Sequence, residues 1–178
     1  MSSDAIGSEL SDRGVFDTDS EIKAITRVSE KCIIEFTFGM LGMEEEFSAM
    51  VDAWAQLYDD DSVDMFSIVF RPSGMESDIP IIYAYRMSKF INRIKKLRKT
   101  NPKYNKLENV IVLVANKSSR AIINILFKIT TPMSNVYLVS EPHQVDVAIE
   151  CIVNDAPPQE KSINGIKYIS APHVVRNR

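Results

Sequence analysis

Few residues of this 178-residue chain could do covalent or metal chemistry, and they do not form sets. Histidine occurs twice, as His143 and His173, and cysteine twice, as Cys32 and Cys151. A thiol nucleophile needs an imidazole at hydrogen-bond distance, about 3 Å. His143 and Cys151 share one expected helix, two turns and therefore about 12 Å apart by helix rise, so that pair fails. Cys32 sits in a β-branched run and reads as core. No CxxC spacing suggests a metal, and no GxSxG or HExxH occurs. Asn116-Lys117 follows an apolar run, as in the NKxD guanine-recognition step, but Ser119 stands where an aspartate is needed. No GxxxxGK[ST] loop exists to cradle phosphates. A loop and helix N-cap explain Asn116 better. The expectation is no enzyme, no cofactor and no metal, with both cysteines as buried thiols of a reducing compartment.

Charge is the pattern with functional content. From Cys32 to Phe70 there are nine acids and no Lys or Arg: Glu35, Glu44, Glu45, Glu46, Asp52, Asp59, Asp60, Asp61 and Asp64. From Arg86 to Lys106 there are nine bases and no acid: Arg86, Lys89, Arg93, Lys95, Lys96, Arg98, Lys99, Lys103 and Lys106. A net charge of −3 hides this dipole. Segregation of this kind suits electrostatic docking to a protein partner, or of one copy on another. The basic docking candidates are Arg93, Lys95, Lys96, Arg98, Lys99, Lys103 and Lys106. The acidic ones are Glu44, Glu45, Glu46, Asp59, Asp60 and Asp61. The bland alternative is two solvated helix faces that partly neutralise each other. Nucleic acid is disfavoured, because the whole chain is acidic and aromatic residues hardly interleave with the basic run.

These residues need elements to hold them. The composition, 45% hydrophobic and 25% charged, is that of one globular domain. Residues 1–20 are rich in Ser, Asp and Gly and are expected as a flexible arm. Residues 21–38 carry β-branched and aromatic residues around a polar break, predicting two strands and a tight turn. Phe47, Met50, Val51, Trp54 and Leu57 recur at helical spacing over 43–58. A strand follows at 65–70. A second helix is opened by Asp78 and Pro80, with a stripe at Tyr83, Met87, Phe90, Ile91, Ile94 and Leu97. The run 109–115 reads as a central parallel strand covered on both faces. Ser118 and Ser119 are expected to cap a third helix running through Ile129. Strand 136–139 and a helix from Pro142 complete a domain spanning 21–154. Residues 155–178 are expected as an extended tail in which 166–170 could pair. The alternation predicts an α/β fold with one mainly parallel sheet, an N-terminal hairpin and four helices. No apolar run approaches the ~18 residues of a membrane span. The N-terminus lacks the apolar core of a signal peptide, so the expected setting is cytoplasm or a particle assembled there.

The order strand–strand–helix, then strand–helix three times over residues 21–154, resembles the STAS domain of anti-sigma-factor antagonists. The segments that carry the likeness are MFSIVFRPSGM before a helix, ENVIVLVANKSSRAIINIL, and NVYLVSEPHQVDVAI. The resemblance implies a non-enzymatic protein–protein interaction module, a regulator or structural adaptor. It also points to the loop before the second helix as a place for phosphorylation. There the aspartate–serine step of the family is not reproduced, and Ser73 and Ser77 are the nearest hydroxyls, hence the candidate phosphosites. A strand such as VIVLVAN before a helix is also similar to the CRAL-TRIO fold, which implies a small apolar ligand or lipid as the alternative. Stretches rich in Ile, Asn and Lys resemble AT-rich coding of some large DNA viruses and protists. A structural component of a viral particle is the further alternative.

Overall fold

The computed structural model of the chain describes residues 23–28, 31–38, 44–72, 79–158, 162–163 and 165–172. The strands are β1 (Lys23–Val28), β2 (Lys31–Phe38), β3 (Phe66–Pro72), β4 (Leu107–Leu113), β5 (Asn135–Val139), β6 (Ser162–Ile163) and β7 (Ile166–Ile169). The helices are α1 (Glu44–Asp59), α2 (Ile81–Arg98), α3 (Lys117–Ile129) and α4 (Pro142–Val153), with a short 3-10 helix at Pro102–Asn105. All seven strands join one sheet, in the order β1-β2-β3-β4-β5-β7-β6. The fold is α/β, as the alternation predicts. β2, β3, β4 and β5 are parallel. β1 pairs antiparallel with β2, from Lys23↔Phe36 to Val28↔Lys31. β7 pairs antiparallel with β5.

Strand order decides where the helices go. From β2 to β5 the chain always steps in the same direction across the sheet. Right-handed crossovers in an order that never reverses place every connecting helix on the same face. The core divides accordingly. Ile34, Phe36, Ile68, Val110 and Val136 point to the face covered by α1 and α2, against which Phe127 of α3 also packs. Ile33, Val69, Ile111, Leu113, Tyr137 and Val139 point to the opposite face, with Val145, Ala148 and Ile152 of α4. Helices lie on both faces as expected, but three to one. Such an order also lacks a switch point, the reversal at which doubly wound sheets open a ligand crevice beyond the strand ends.

Several local expectations shift. The second helix starts at Ile81, with Pro80 as its N-cap rather than inside its first turn, and Asp78 lies outside the described residues. Asn116, not Ser118 or Ser119, caps α3, its side chain accepting from the Ser118 backbone N–H at 2.7 Å. Asn116 is the first residue of the sequence that matched part of a nucleotide motif, and capping accounts for it. Asn116→Ala is expected to lower stability by about 1 kcal/mol, readable as a shift in the urea midpoint; a smaller loss for Asn116→Ser would separate capping from packing.

The sheet does not stop at Asn154. α4 ends with Asp155 in a left-handed conformation, φ 49°, and the Asp155 carboxylate pairs with Lys31 at 2.8 Å. The chain then returns with β7 along the free edge of β5 and β6 outside β7, with Val136↔Ile169 and Leu138↔Lys167 in register. Ile166 is fully buried among the α4-face residues. The segment 166–169 of the expected tail therefore belongs to the sheet and its core. Gly165 turns the chain into β7 with φ 78°, and a Cβ there would lie 2.6 Å from Gln144 Nε2.

Candidate docking surface

Two parallel crossovers bring the acidic and basic segments together within one molecule. Glu44, at the start of α1, pairs with Arg86 of α2 at 2.9 Å. At the other end of α1, Asp59 pairs with Lys103 of the 3-10 helix, which raises the Lys103 ammonium above its ordinary pKa. Lys106 Nζ donates to the Asp60 backbone carbonyl at 2.8 Å. The Asp60 side chain accepts from the Ser62 backbone N–H and hydroxyl. Part of the charge dipole is thus closed inside the chain, at both ends of α1, as the bland reading supposes.

The remaining charges sort by position. Glu45, Asp52 and Asp61 are exposed and Glu46 is half-buried. Arg98 faces inward: its Nε donates to Asn105 Oδ1 at 2.8 Å and its Nη1 to the Met133 carbonyl at 2.6 Å. It ties the end of α2 to the approach to β5. Lys95 is half-buried, and burial together with the Arg98 charge lowers its pKa from the ordinary value. Arg93, Lys96 and Lys99 are exposed, and make no ion pair among the described residues. Of the seven basic candidates, these three are left for a partner.

The structure adds residues that charge counting misses. Ile81, Ile82 and Tyr85 are among the most exposed large apolar side chains, together with Ile129 at the end of α3. Lys89 reaches over the Tyr85 ring, its Nζ 4.5 Å from the centroid. Ile82, Tyr85, Lys89, Arg93 and Lys96 follow one another at three- and four-residue steps, so they form a single outer stripe of α2. The stripe begins apolar and ends basic. Helical phase would have revealed it: once Tyr83, Ile91 and Ile94 face the core, Ile82 and Tyr85 must face away. α2 and α3 are tied side by side by Ser119 Oγ, which accepts from the Ile79 N–H at 3.0 Å, and by the Ser88–Thr130 hydroxyl pair at 2.6 Å.

The groups weighed for chemistry remain apart. Cys32 is buried in the three-helix core. His143 is exposed in the first turn of α4, on the other side of the sheet, with its Nδ1 3.2 Å from Glu141. Cys151 lies further along α4, and burial followed by the Glu150 charge raises its thiol pKa, which disfavours a thiolate. Arg71, near the end of β3 and ahead of the segment compared with a phosphorylation loop, pairs with Glu35 at 2.8 Å. Ser73, Ser77 and His173 lie outside the described residues. No cluster of three or more His, Cys, Asp or Glu able to hold a metal occurs among the described residues. No helix among them is long and apolar enough to cross a membrane.

Two concavities accompany this surface. A polar groove of about 620 Å³ opens at the N-terminal ends of β4 and β5. A ladder borders it: Asn135 Nδ2 donates to Asn109 Oδ1 at 3.2 Å, and Asn109 Nδ2 donates to Ser67 Oγ at 3.1 Å. Asn135 Oδ1 accepts from the Ala171 N–H. Register places Ser67, Asn109 and Asn135 abreast on β3, β4 and β5, so the ladder binds strand to strand and secures residues beyond β7. The second is an apolar cavity of about 110 Å³ between the sheet and the three-helix layer. No family model matches the chain, and no curated protein matches it.

Proposed function

We propose that the chain is a non-enzymatic, STAS-like interaction module that docks an acidic protein surface on the outer stripe of α2. The observation that carries this reading is the stripe itself: exposed Ile82 and Tyr85, then exposed Lys89, Arg93 and Lys96. Apolar anchors beside a charged rim are how specific interfaces are built: the anchors supply affinity and the charges supply steering. The earlier basic set narrows in this reading. Arg98, Lys103 and Lys106 serve the fold, while Arg93, Lys96 and Lys99 serve the partner, joined by Lys89. The partner is a protein other than this chain's own α1, whose exposed residues are acidic and polar with no exposed large apolar side chain to meet Ile82. Cytoplasm, or a particle assembled there, remains the proposed setting.

The test compares wild type with the triple variant Lys89→Glu, Arg93→Glu, Lys96→Glu. All three side chains are exposed, so the variant is expected to keep its thermal midpoint. Proteins co-purifying with wild type from the native source at low salt should be lost by the variant, and should fall away from wild type as salt rises. Identical capture by both proteins at every salt concentration would sink the docking reading.

A further inference from the structure

We infer that the cavity under the three-helix layer is a binding site for a compact, uncharged apolar molecule, of one ring or a short alkyl chain. Its origin is legible in the residues. The sheet contributes Val110, Val112 and Val136, whose branched side chains are short, with Phe70 and Leu107 beside them, and α2 contributes the small Ala84. Longer side chains line the cavity too, Trp54 and Phe127 among them. A layer of helices resting on tall aromatic walls cannot collapse onto the short valines, so a void of about 110 Å³ remains.

The chemistry of the lining sets the ligand class. Among the described residues no charged side chain borders the cavity, and nearly all of its wall is aliphatic or aromatic. A charged or strongly hydrated molecule would lose its water and gain nothing in return. Water itself needs two or more polar partners to be held, which such walls do not provide. Apolar cavities of roughly 150 Å³ hold benzene or xenon. This one is slightly smaller, but Met50, Met87 and Met133 line it. Methionine side chains are unbranched and repack readily, so they can give the small extra room that one ring requires. This reading is independent of the α2 stripe: the cavity lies on the inner side of the same helix.

The experiment uses the full chain labelled with ¹³C at the methionine methyl groups, titrated with benzene and separately pressurised with xenon. The expected result is saturable movement of the Met50, Met87 and Met133 methyl signals, with the Met65 signal unchanged. Benzene near saturation should also raise the thermal midpoint by about 3–6 °C, the size expected for free ligand at ten times Kd in a chain of this length. Ala84→Leu fills the void and should abolish both responses. If that variant fails to fold, Val136→Ile takes its place and should weaken the response. No saturable movement of those three methyl signals in wild type would overturn the proposal. Equal responses from wild type and a folded filling variant would overturn it too.

Discussion

Above pH 10 the fold should lose stability steeply. Tyr58 is fully buried at the end of α1 and Tyr137 is buried on β5. Burial pushes both phenols well above their ordinary range; for Tyr58 the Trp54 indole and the Arg98 charge offset a part, and for Tyr137 the neighbouring Tyr168 and Cys151 add to it. Tyr168 is raised as well, by burial. In the unfolded chain these phenols ionise near 10. Between that value and their folded values the unfolded chain holds fewer protons than the fold, so stability falls as pH rises. The stabilisation is fully present below pH 10. Each such phenol contributes up to about 1.4 kcal/mol per pH unit. Tyr58 should approach that limit. Tyr137 borders the polar groove, where water screens a developing phenolate, so its share is smaller and the two together give about 2 kcal/mol per unit. Urea unfolding measured from pH 9 to 11.5 would read the slope. Tyr58→Phe should remove more than half of it and Tyr137→Phe a smaller part. An unchanged slope in both variants would mean that buried phenols are not what the alkaline limit reports.

The same residues show what was legible in the sequence. Tyr58 falls in phase with Phe47, Met50, Trp54 and Leu57, so its helix and burial follow from periodicity alone. Its partners do not: Phe66, which opens the next strand, stands 5.4 Å from its ring, and Tyr104, which arrives only after α2, stands 5.3 Å away. The alternation of strands and helices was readable because each element carries its own period. Strand order was not, because Val69 and Ile111 are apolar whichever neighbours they have. Hence three helices on one face was a discovery of the fold. The segment 166–169 read as a strand from Ile166, Tyr168 and Ile169, but nothing local says that it closes the β5 edge. The charge runs were plain in composition. Their internal closure was not, since Glu44 meets Arg86 across 42 positions of sequence. Ile81 and Ile82 carry no docking signal of their own in the sequence, because they open a helix whose apolar stripe runs on from Tyr83.

A sheet whose parallel strands never reverse order has no crevice at its carboxyl edge, so binding must use other surfaces. Here the alternatives are the outside of α2 and the space beneath it. Both depend on α2 lying at a fixed height over the sheet. That height is set by the aromatic residues between them, chiefly Trp54, which meets Phe70 at 5.6 Å and Phe90 at 5.0 Å.

Trp54→Ala should accordingly cost about 3–5 kcal/mol, the range for removing a buried aromatic side chain. The loss is partly offset by an unusual feature. The indole Nε1 of Trp54 and the hydroxyl of Tyr58 are buried beside each other, but neither makes a well-formed hydrogen bond to any of the described residues. A buried donor or acceptor left unmade costs about 1–3 kcal/mol. Deleting the polar atom while keeping the ring should therefore recover stability. Tyr58→Phe is expected to raise stability by about 1 kcal/mol at neutral pH, and Trp54→Phe to lie near wild type, its lost area set against the relieved N–H. Trp54→Ala should in addition weaken benzene binding, because a wall of the cavity is gone. Denaturant midpoints for the three variants decide the matter. If Tyr58→Phe is destabilising by 1 kcal/mol or more, the hydroxyl has a partner in solution. If Trp54→Ala costs less than 1 kcal/mol, the three-helix layer rests on something other than this ring.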